Sequence, residues 1–306
     1  MVTMNPRSKG PLRYVADFER KVGGAELNLA IGCARLGLRT GWIGRLGNDE
    51  FGKYVYNFAR GEGIDVSNVE LMDGYATSLN FKEIREDGTG STYYYRTNSP
   101  TLLITADNLP EDAIRSANIL HLTGVFSAIR RDDMSVIHRA IEIAKSSGVL
   151  VAFDPNIRLK LWSKEDAVQC LLPLLADVDI MLTGQAEAEL LLGVSKPEDI
   201  IGRLTSLGVQ RIAIKREGDG SIGFDNGLTI SMPALPPSAV VDTVGAGDGF
   251  DAGFLLGVIK GWPLDRTLAF ANAVGSMVVS VSGDNEGLPL YDEVQQKLGL
   301  HPIIAR

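Results

Sequence analysis

The chain has 306 residues, 45% of them hydrophobic, and a formal net charge of −8. Its apolar content suits one large domain, or one domain with an appendage. The negative charge argues against nucleic-acid or anionic-membrane binding, because such binding needs a basic surface. Cys33 and Cys170 are the only cysteines and lack metal-like spacing, which argues against a zinc site or a disulfide framework. No apolar stretch approaches membrane-spanning length and the first residues lack the form of a signal peptide, so we expect a cytoplasmic protein.

Helical and extended patterns alternate along most of the chain. Apolar residues at helical spacing predict a helix that ends at Gly37, one from an N-cap at Asp49 to Ala59, and one over 137–144. Short apolar runs predict strands at 41–44, 119–123, 149–153, 180–183 and 211–215. This alternation predicts an α/β fold, a doubly wound and mostly parallel sheet with helices on both faces.

Two extended segments interrupt this alternation. Residues 76–85 and 91–97 flank the turn 86–90 with no helix between them, which predicts a β-hairpin. The segment 12–18 is a candidate third strand of the same small sheet. A sheet of this size is marginal alone, so we expect it to pack against the main domain, a substrate or a second subunit.

The most informative segment is 242–254. Gly245, Ala246 and Gly247 let a ligand approach the backbone closely, and their N–H groups lie at a predicted helix N-terminus, which favours anions. Asp248 follows in the first helical turn, where a carboxylate can accept a proton from an attacking hydroxyl. An anion cradle and a base within one turn are the minimum parts for phosphoryl transfer.

Other interpretations of these residues stay open at this point. A short apolar run at 239–241 predicts a strand that leads into a tight glycine turn, with Asp248 as a simple helix cap. A dinucleotide-binding fingerprint fits poorly, because the glycine spacing is wrong and no opening βαβ unit with a distal acid is present. The Gly-Lys-Ser/Thr sequence of a P-loop does not occur.

Residues 242–255 resemble the C-terminal signature of the PfkB, or ribokinase-like, carbohydrate kinases at essentially every defined position. A second match is Gly-Gly-Ala-Glu at 23–26 followed by Asn28, with Gly37 and Gly47 at the expected distances. The resemblance covers nearly the whole chain. It implies one ribokinase-like kinase domain over 1–306, with a β lid formed by roughly 10–20 and 75–100, that uses ATP and Mg²⁺.

The resemblance also implies a role for individual residues. Asp248 is the expected general base and the turn 245–247 the expected anion hole. The other implied contacts are Gly23, Gly24 and Asn28 for the sugar, Lys215, Gly218, Gly220, Thr243 and Asn272 for the nucleotide, and Glu187 for Mg²⁺ through water. Two of these residues have an ordinary structural alternative. Lys215 could simply end a strand, and Glu187 could be an exposed glutamate on a helix.

Glu26 narrows the resemblance, because most of the family has a small residue or proline at that position. The sequence here resembles the 2-keto-3-deoxygluconate kinase branch, as do Asn5-Pro6 and the segments 93–96 and 154–158. On a strand, Tyr94 and Arg96 share one face, and arginine pairs with a carboxylate bidentately. The resemblance therefore makes both expected contacts of a sugar acid.

The arginines have structural alternatives. A solvated Arg96 on a hairpin held by cross-strand aromatic pairs explains the same pattern without a ligand. Arg158 follows a buried strand end, where ligands bind in open α/β sheets, but a surface loop cation is equally compatible.

Tyr93 and Tyr95 point away from Tyr94 and need cover, so we expect a homodimer or higher homo-oligomer through the β lid.

Three departures from the family pattern stand out. Gly184 replaces an asparagine that usually precedes Glu187, and Glu217 replaces a glycine of the nucleotide loop. Relatives begin with a strand carrying Gly-Glu before the Asn-Pro segment. Either the recorded start at Met1 is late or the sheet lacks this strand.

The leading hypothesis is an ATP-dependent kinase of 2-keto-3-deoxygluconate that gives the 6-phosphate. The nearest alternative is a kinase of a neutral sugar such as fructose. An alternative of another class is a sugar-acid-binding regulator without catalysis, against which the intact Asp248 and its glycine turn argue.

Overall fold

The computed structural model describes residues 1–86 and 90–300. The strands are β1 (Val2–Pro6), β2 (Phe18–Val22), β3 (Gly44–Gly47), β4 (Val69–Met72), β5 (Leu79–Ile84), β6 (Gly90–Tyr95), β7 (Ile119–Thr123), β8 (Leu150–Asp154), β9 (Ile180–Gly184), β10 (Arg211–Lys215), β11 (Ser221–Asp225) and β12 (Leu228–Met232). The helices are α1 (Ala25–Arg35), α2 (Glu50–Gly61), α3 (Glu111–Arg115), α4 (Gly124–Ile129), α5 (Ser135–Ser146), α6 (Lys164–Leu171), α7 (Gln185–Leu192), α8 (Pro197–Ser206), α9 (Ala246–Ile259), α10 (Leu264–Val278) and α11 (Tyr291–Lys297).

The central sheet has six strands in the order β12-β11-β10-β9-β8-β7. Strands β7 to β10 are parallel, whereas β11 and β12 are antiparallel to their neighbours. The middle strands are mostly apolar and largely buried, as is typical of parallel strands covered on both faces. One face packs against α4 to α8 and the other against α1, α9 and α10, so the predicted α/β arrangement is confirmed.

A second sheet has four strands in the order β2-β1-β5-β6, and we call it the lid sheet. Its strands β5 and β6 form the predicted antiparallel hairpin, and residues 87–89 of the predicted turn 86–90 lie outside the described residues. Side chains alternate between its two faces. Phe18, Phe81 and Tyr95 make edge-to-face contacts on the outer face, with ring centroids 5.3 and 5.5 Å apart. The inner face is polar.

One prediction about the lid sheet was wrong. The segment 12–18 is not a strand, because Gly10 in a left-handed conformation (φ 127°) and Pro11 turn the chain into a short 3₁₀ helix, and β2 begins only at Phe18. The third and fourth strands are instead β2 and β1. Strand β1 pairs in parallel with β5, a partner distant in sequence, and short-range patterns do not reveal such pairing.

Two other strand predictions also need correction. The strand predicted at 41–44 lies at Gly44–Gly47, because its partner β4 begins only at Val69, and Gly41 forms a single bridge with Asp65. The segment 239–241 forms no ladder. Its valines are exposed, and the Val241 amide bonds to the Val279 carbonyl at the end of α10.

A cavity of about 1250 Å³ lies between the central sheet and a separate two-stranded sheet formed by β3 and β4. Ile43 and Gly44 line one side and Leu120 and Leu122 of β7 line another. Within residues 1–86 and 90–300, β7 pairs only with β8 and β3 only with β4. At one end the cavity is polar, and there it meets the lid sheet.

Candidate active site

Helix α9 begins in a turn that only glycine can make. Gly245 has a φ of 81°, and a Cβ there would lie 1.9 Å from the Asp284 carbonyl oxygen. The N–H groups of Gly247 and Asp248 find no acceptor in the described part of the chain. Residues 245–247, here called the anion turn, therefore present unpaired donors at the positive end of a helix.

The residue that directly follows the anion turn is Asp248. Its Oδ2 accepts a hydrogen bond of 2.8 Å from Asn28 Nδ2 on α1. Burial raises the pKa of Asp248 to about 7, with a smaller increase from Asp154 and an opposing decrease from Asn28. Near neutral pH this carboxyl group can therefore both take up and release a proton, as a general base must.

Lys215 lies directly beneath the anion turn. Its Nζ is 3.0 and 3.2 Å from the two carboxylate oxygens of Asp251 and 3.3 Å from Asp154 Oδ2. Burial opposes its charge, but both carboxylates outweigh this and raise the pKa of Lys215. A Cβ at Gly247 would lie 3.6 Å from this Nζ, so the ammonium adds positive charge below the turn.

Glu187 is held near the same group of charges. Its carboxylate accepts hydrogen bonds from the N–H groups of Ile157 (2.9 Å) and Gly184 (3.1 Å). The departure at Gly184 thus leaves a backbone donor that orients Glu187. Burial, followed by the charge of Asp154, raises the pKa of Glu187. No cluster of three metal-ligating side chains occurs in residues 1–86 and 90–300, so a cation here would need ligands from water or substrate.

The polar end of the cavity contains Gly23, Gly24 and Arg96 of the expected sugar residues, whereas Asn28, Tyr94 and Arg158 do not line it. Glu26 lines it as well. The guanidinium carbon of Arg96 lies 4.2 Å from the ring centroid of Tyr94, and its buried Nε has no acceptor within the described residues. Burial lowers the pKa of Arg96, and an anion would relieve that cost.

The inner face of the lid sheet adds residues that the sequence interpretation missed. Asn80 Nδ2 donates to Thr3 Oγ1 at 3.1 Å. The side-chain Oδ1 atoms of Asn5 and Asn80 are buried and accept no hydrogen bond from the described residues, so they could accept hydrogen bonds from the hydroxyl groups of a ligand. The sequence did contain a signal for this polar face, because Asn80 and Lys82 alternate with the apolar Leu79 and Phe81.

The loop after β8 lies between the surroundings of Asp248 and the lid sheet. Arg158 is exposed, and its charge contributes to lowering the pKa of Asp248. Lys160, which the sequence interpretation also missed, donates to the Thr92 carbonyl of the lid sheet at 3.3 Å. The loop thus connects the general-base side of the site with the lid.

Two of the expected nucleotide residues, Gly220 and Asn272, lie beside the connection after β12. A Cβ at Gly220 (φ 88°) would lie 2.2 Å from the Met232 carbonyl oxygen, and Asn272 donates to the carbonyls of Met232 (3.3 Å) and Pro233 (3.0 Å). The Asn272 amide group therefore holds backbone in place. Glu217 has a φ of 51°, a conformation that favours glycine.

Two further expected nucleotide residues are Thr243, beside the anion turn, and Gly218, in the loop between β10 and β11. Thr243 precedes the turn, and its carbonyl accepts from the Ala246 amide at 3.4 Å. A Cβ at Gly218 would have no neighbour within 4 Å, which leaves its surface open. The structure thus groups Asp248, the anion turn and Lys215, and places Gly220 with Asn272 separately.

Comparison with known proteins decides the family. The profile of the pfkB family carbohydrate kinases matches residues 1–290. The chain belongs to this family. The pfkB assignment agrees with the predicted fold and with the resemblance carried by the anion turn and Asp248.

Two curated relatives are similar to this pfkB chain over most of its length. The 2-dehydro-3-deoxygluconokinase of Bacillus subtilis is 34% identical over 288 residues, which cover 93% of this chain and 89% of the relative. The enzyme of the same name from Thermoproteus tenax is 35% identical over 302 residues, covering 97% and 91%. Among solved structures, an uncharacterized sugar kinase from Pyrococcus horikoshii in complex with ATP is 26% identical, with a TM-score of 0.80 and coverage of 97% and 95%.

No helix in the described part of this pfkB chain has both the length and the apolar composition needed to cross a membrane.

Proposed function

We propose that the protein transfers the terminal phosphoryl group of ATP to the 6-hydroxyl of 2-keto-3-deoxygluconate, which is the same compound as 2-dehydro-3-deoxygluconate. The observation that carries this function is Asp248, whose pKa is raised to about 7 one residue beyond an anion turn with unpaired donors. The relatives named 2-dehydro-3-deoxygluconokinase support the choice of sugar.

The proposed chemical step needs few protein groups. The sugar hydroxyl oxygen forms a bond to the terminal phosphorus of ATP, the bond from that phosphorus to the bridging oxygen breaks, and ADP leaves. Asp248 takes the hydroxyl proton. The N–H groups of the anion turn and the ammonium of Lys215 stabilise the negative charge on the transferred phosphoryl oxygens.

Arg96 is the proposed partner of the substrate carboxylate. It lines the polar end of the cavity, it is largely buried, and its Nε has no acceptor in the described residues. A carboxylate can accept two parallel hydrogen bonds from one guanidinium, which a neutral sugar cannot do. Arg158 is a proposed contact at the other end of the sugar, because its charge acts on Asp248, beside which the 6-hydroxyl must lie.

ATP and Mg²⁺ are the proposed co-substrate and cofactor. Glu187 suits a role in holding Mg²⁺ through water, because two backbone donors orient its carboxylate and each oxygen keeps a free lone pair. When bound, Mg²⁺ would neutralise charge on the phosphate oxygens. Gly218 and Gly220 are the proposed contacts of the nucleotide, and Thr243 is proposed to lie beside its phosphates. Asn272 is proposed to hold the backbone of the nucleotide site through the carbonyls of Met232 and Pro233.

A turnover panel tests this function. ADP release is measured with 2-keto-3-deoxygluconate, other sugar acids and fructose, for the wild type and for Arg96→Ala and Arg96→Lys. We expect the keto acid to be preferred. Arg96→Ala should raise its KM by roughly 30-fold or more, since an unpaired buried carboxylate costs about 2–5 kcal/mol, and should change the KM for ATP far less.

Arg96→Lys is the matched control, because it retains the charge but loses the two-pronged geometry. We expect an intermediate KM for the keto acid. A wild-type preference for fructose, with Arg96→Ala affecting neither sugar, would show that the substrate is not an anion. No turnover of any sugar would instead favour the regulator without catalysis.

A further inference from the structure

A short loop lies between the lid sheet and the anion turn. Residues 282–286, here called the bridging loop, contact both through Asp284. A Cβ at Gly23, which follows β2, would lie 2.3 Å from the Asp284 carboxylate, and a Cβ at Gly245 would lie 1.9 Å from its carbonyl oxygen. One residue therefore packs against both the sugar side and the phosphate side of the site.

A buried lysine of the lid sheet fixes this loop. Lys82 on β5 is 9% exposed, and its Nζ lies 2.7 Å from Asp284 Oδ1 and 3.6 Å from Asp242 Oδ2. Asp242 in turn accepts from the N–H groups of Val244 (3.1 Å) and Gly283 (3.3 Å). A single ammonium thus joins the segment that leads into the anion turn with the loop that packs against it.

The same lysine lies on the polar inner face of the lid sheet. It shares this face with Asn80 of the same strand, which donates to Thr3 of the neighbouring strand. Burial opposes its charge, but Asp284 and Asp242 more than compensate and raise the pKa of Lys82. The lysine remains cationic throughout the neutral range, so the contact does not depend on pH there.

We propose that Lys82 is a positioning residue that couples sugar binding at the lid sheet to nucleotide binding at the anion turn. It contacts neither the reacting atoms nor the phosphates, and acts through Asp284 and Asp242. A sugar acid that orders the inner face of the lid sheet orders the anion turn as well. Coupling between two binding sites is reciprocal, so ATP must tighten sugar binding by the same factor. This inference rests on the proposed function for the position of the sugar.

Calorimetric titration measures the coupling directly. A non-hydrolysable ATP analogue is titrated into the protein without and with saturating 2-keto-3-deoxygluconate, and the ratio of the two Kd values is the coupling factor. We expect a factor of roughly 5 to 150 in the wild type, the usual range for allosteric pairs. In Lys82→Met we expect a factor close to one, with binding of the analogue alone changed far less.

Three variants keep this test decisive. Lys9→Met removes an exposed lysine of the lid connection and should leave the coupling unchanged. Lys82→Arg should keep most of it. Lys82→Met/Asp284→Asn removes one buried charge of each sign, so it serves if Lys82→Met alone unfolds, and it should also lose the coupling.

Two outcomes would overturn the proposal: no coupling in the wild type, or full coupling in folded Lys82→Met or in the double variant. If 2-keto-3-deoxygluconate does not bind the wild type, the proposed substrate fails instead. The same titrations are then made with the sugar that the turnover panel identifies, and the role of Lys82 is decided with that sugar.

Discussion

The hydrogen bond from Asn28 to Asp248 links the start of α1 with the start of α9 and adjusts the proposed base. Asn28 donates to the ionised carboxylate at 2.8 Å and thereby lowers its pKa, whereas burial raises it to about 7. A base acts when it is deprotonated. The value of kcat/KM should therefore rise with pH through an apparent pKa of about 7.

Asn28→Leu should move this acid limb to higher pH. Loss of a hydrogen bond to a charged group costs about 1.5–3 kcal/mol, which corresponds to roughly one to two pKa units. The measurement is the pH profile of kcat/KM for the sugar, with the exposed Asn57→Leu on α2 as control. A wild-type acid limb near pH 4, or no displacement in Asn28→Leu, would contradict the assignment of the raised pKa to Asp248.

Among the secondary-structure elements, β6 presents aromatic side chains on both faces of the lid sheet. Tyr94 stacks with Arg96 on the inner side, whereas Tyr93 and Tyr95 are 44% and 62% exposed on the outer side. Adjacent exposed aromatic rings favour association. We therefore predict a homodimer through the outer face of the lid sheet.

Light scattering at micromolar concentrations tests this prediction. The wild type should have the mass of a dimer, and Tyr95→Lys should shift it toward the monomer. The control is Leu228 on β12, an edge strand of the central sheet and not part of the lid sheet. Leu228→Lys places the same charge on another exposed apolar residue and should leave the mass unchanged. A wild type that is monomeric throughout this range would rule out the lid interface.

For the molecule as a whole, the sequence predicted those elements whose environment is local or uniform. The runs at 119–123 and 211–215 coincide with β7 and β10, because strands of a parallel sheet that helices cover are mostly apolar. Strand β1 was missed and 239–241 was wrongly assigned. In both cases the hydrogen-bond partner, rather than the local pattern, determines the structure.

The candidate site follows the same division. Asp248 and Gly245 could be identified because the turn, the helix start and the carboxylate lie within one short motif. The contact of Lys82 with Asp284 joins residues 202 positions apart, and nothing in the local sequence indicates it. The contact of Lys160 with Thr92 is hidden for the same reason.

The most direct test of the proposed kinase is formation of phosphorylated sugar by Asp248→Asn. The substitution preserves the shape of the side chain and, by removing the base, should lower kcat for 2-keto-3-deoxygluconate by about 10² or more while the ATP analogue still binds. Asp265→Asn, in the first turn of neighbouring α10, is the matched control and should keep wild-type turnover. Turnover of Asp248→Asn within a few fold of the wild type would contradict the role of Asp248 as general base.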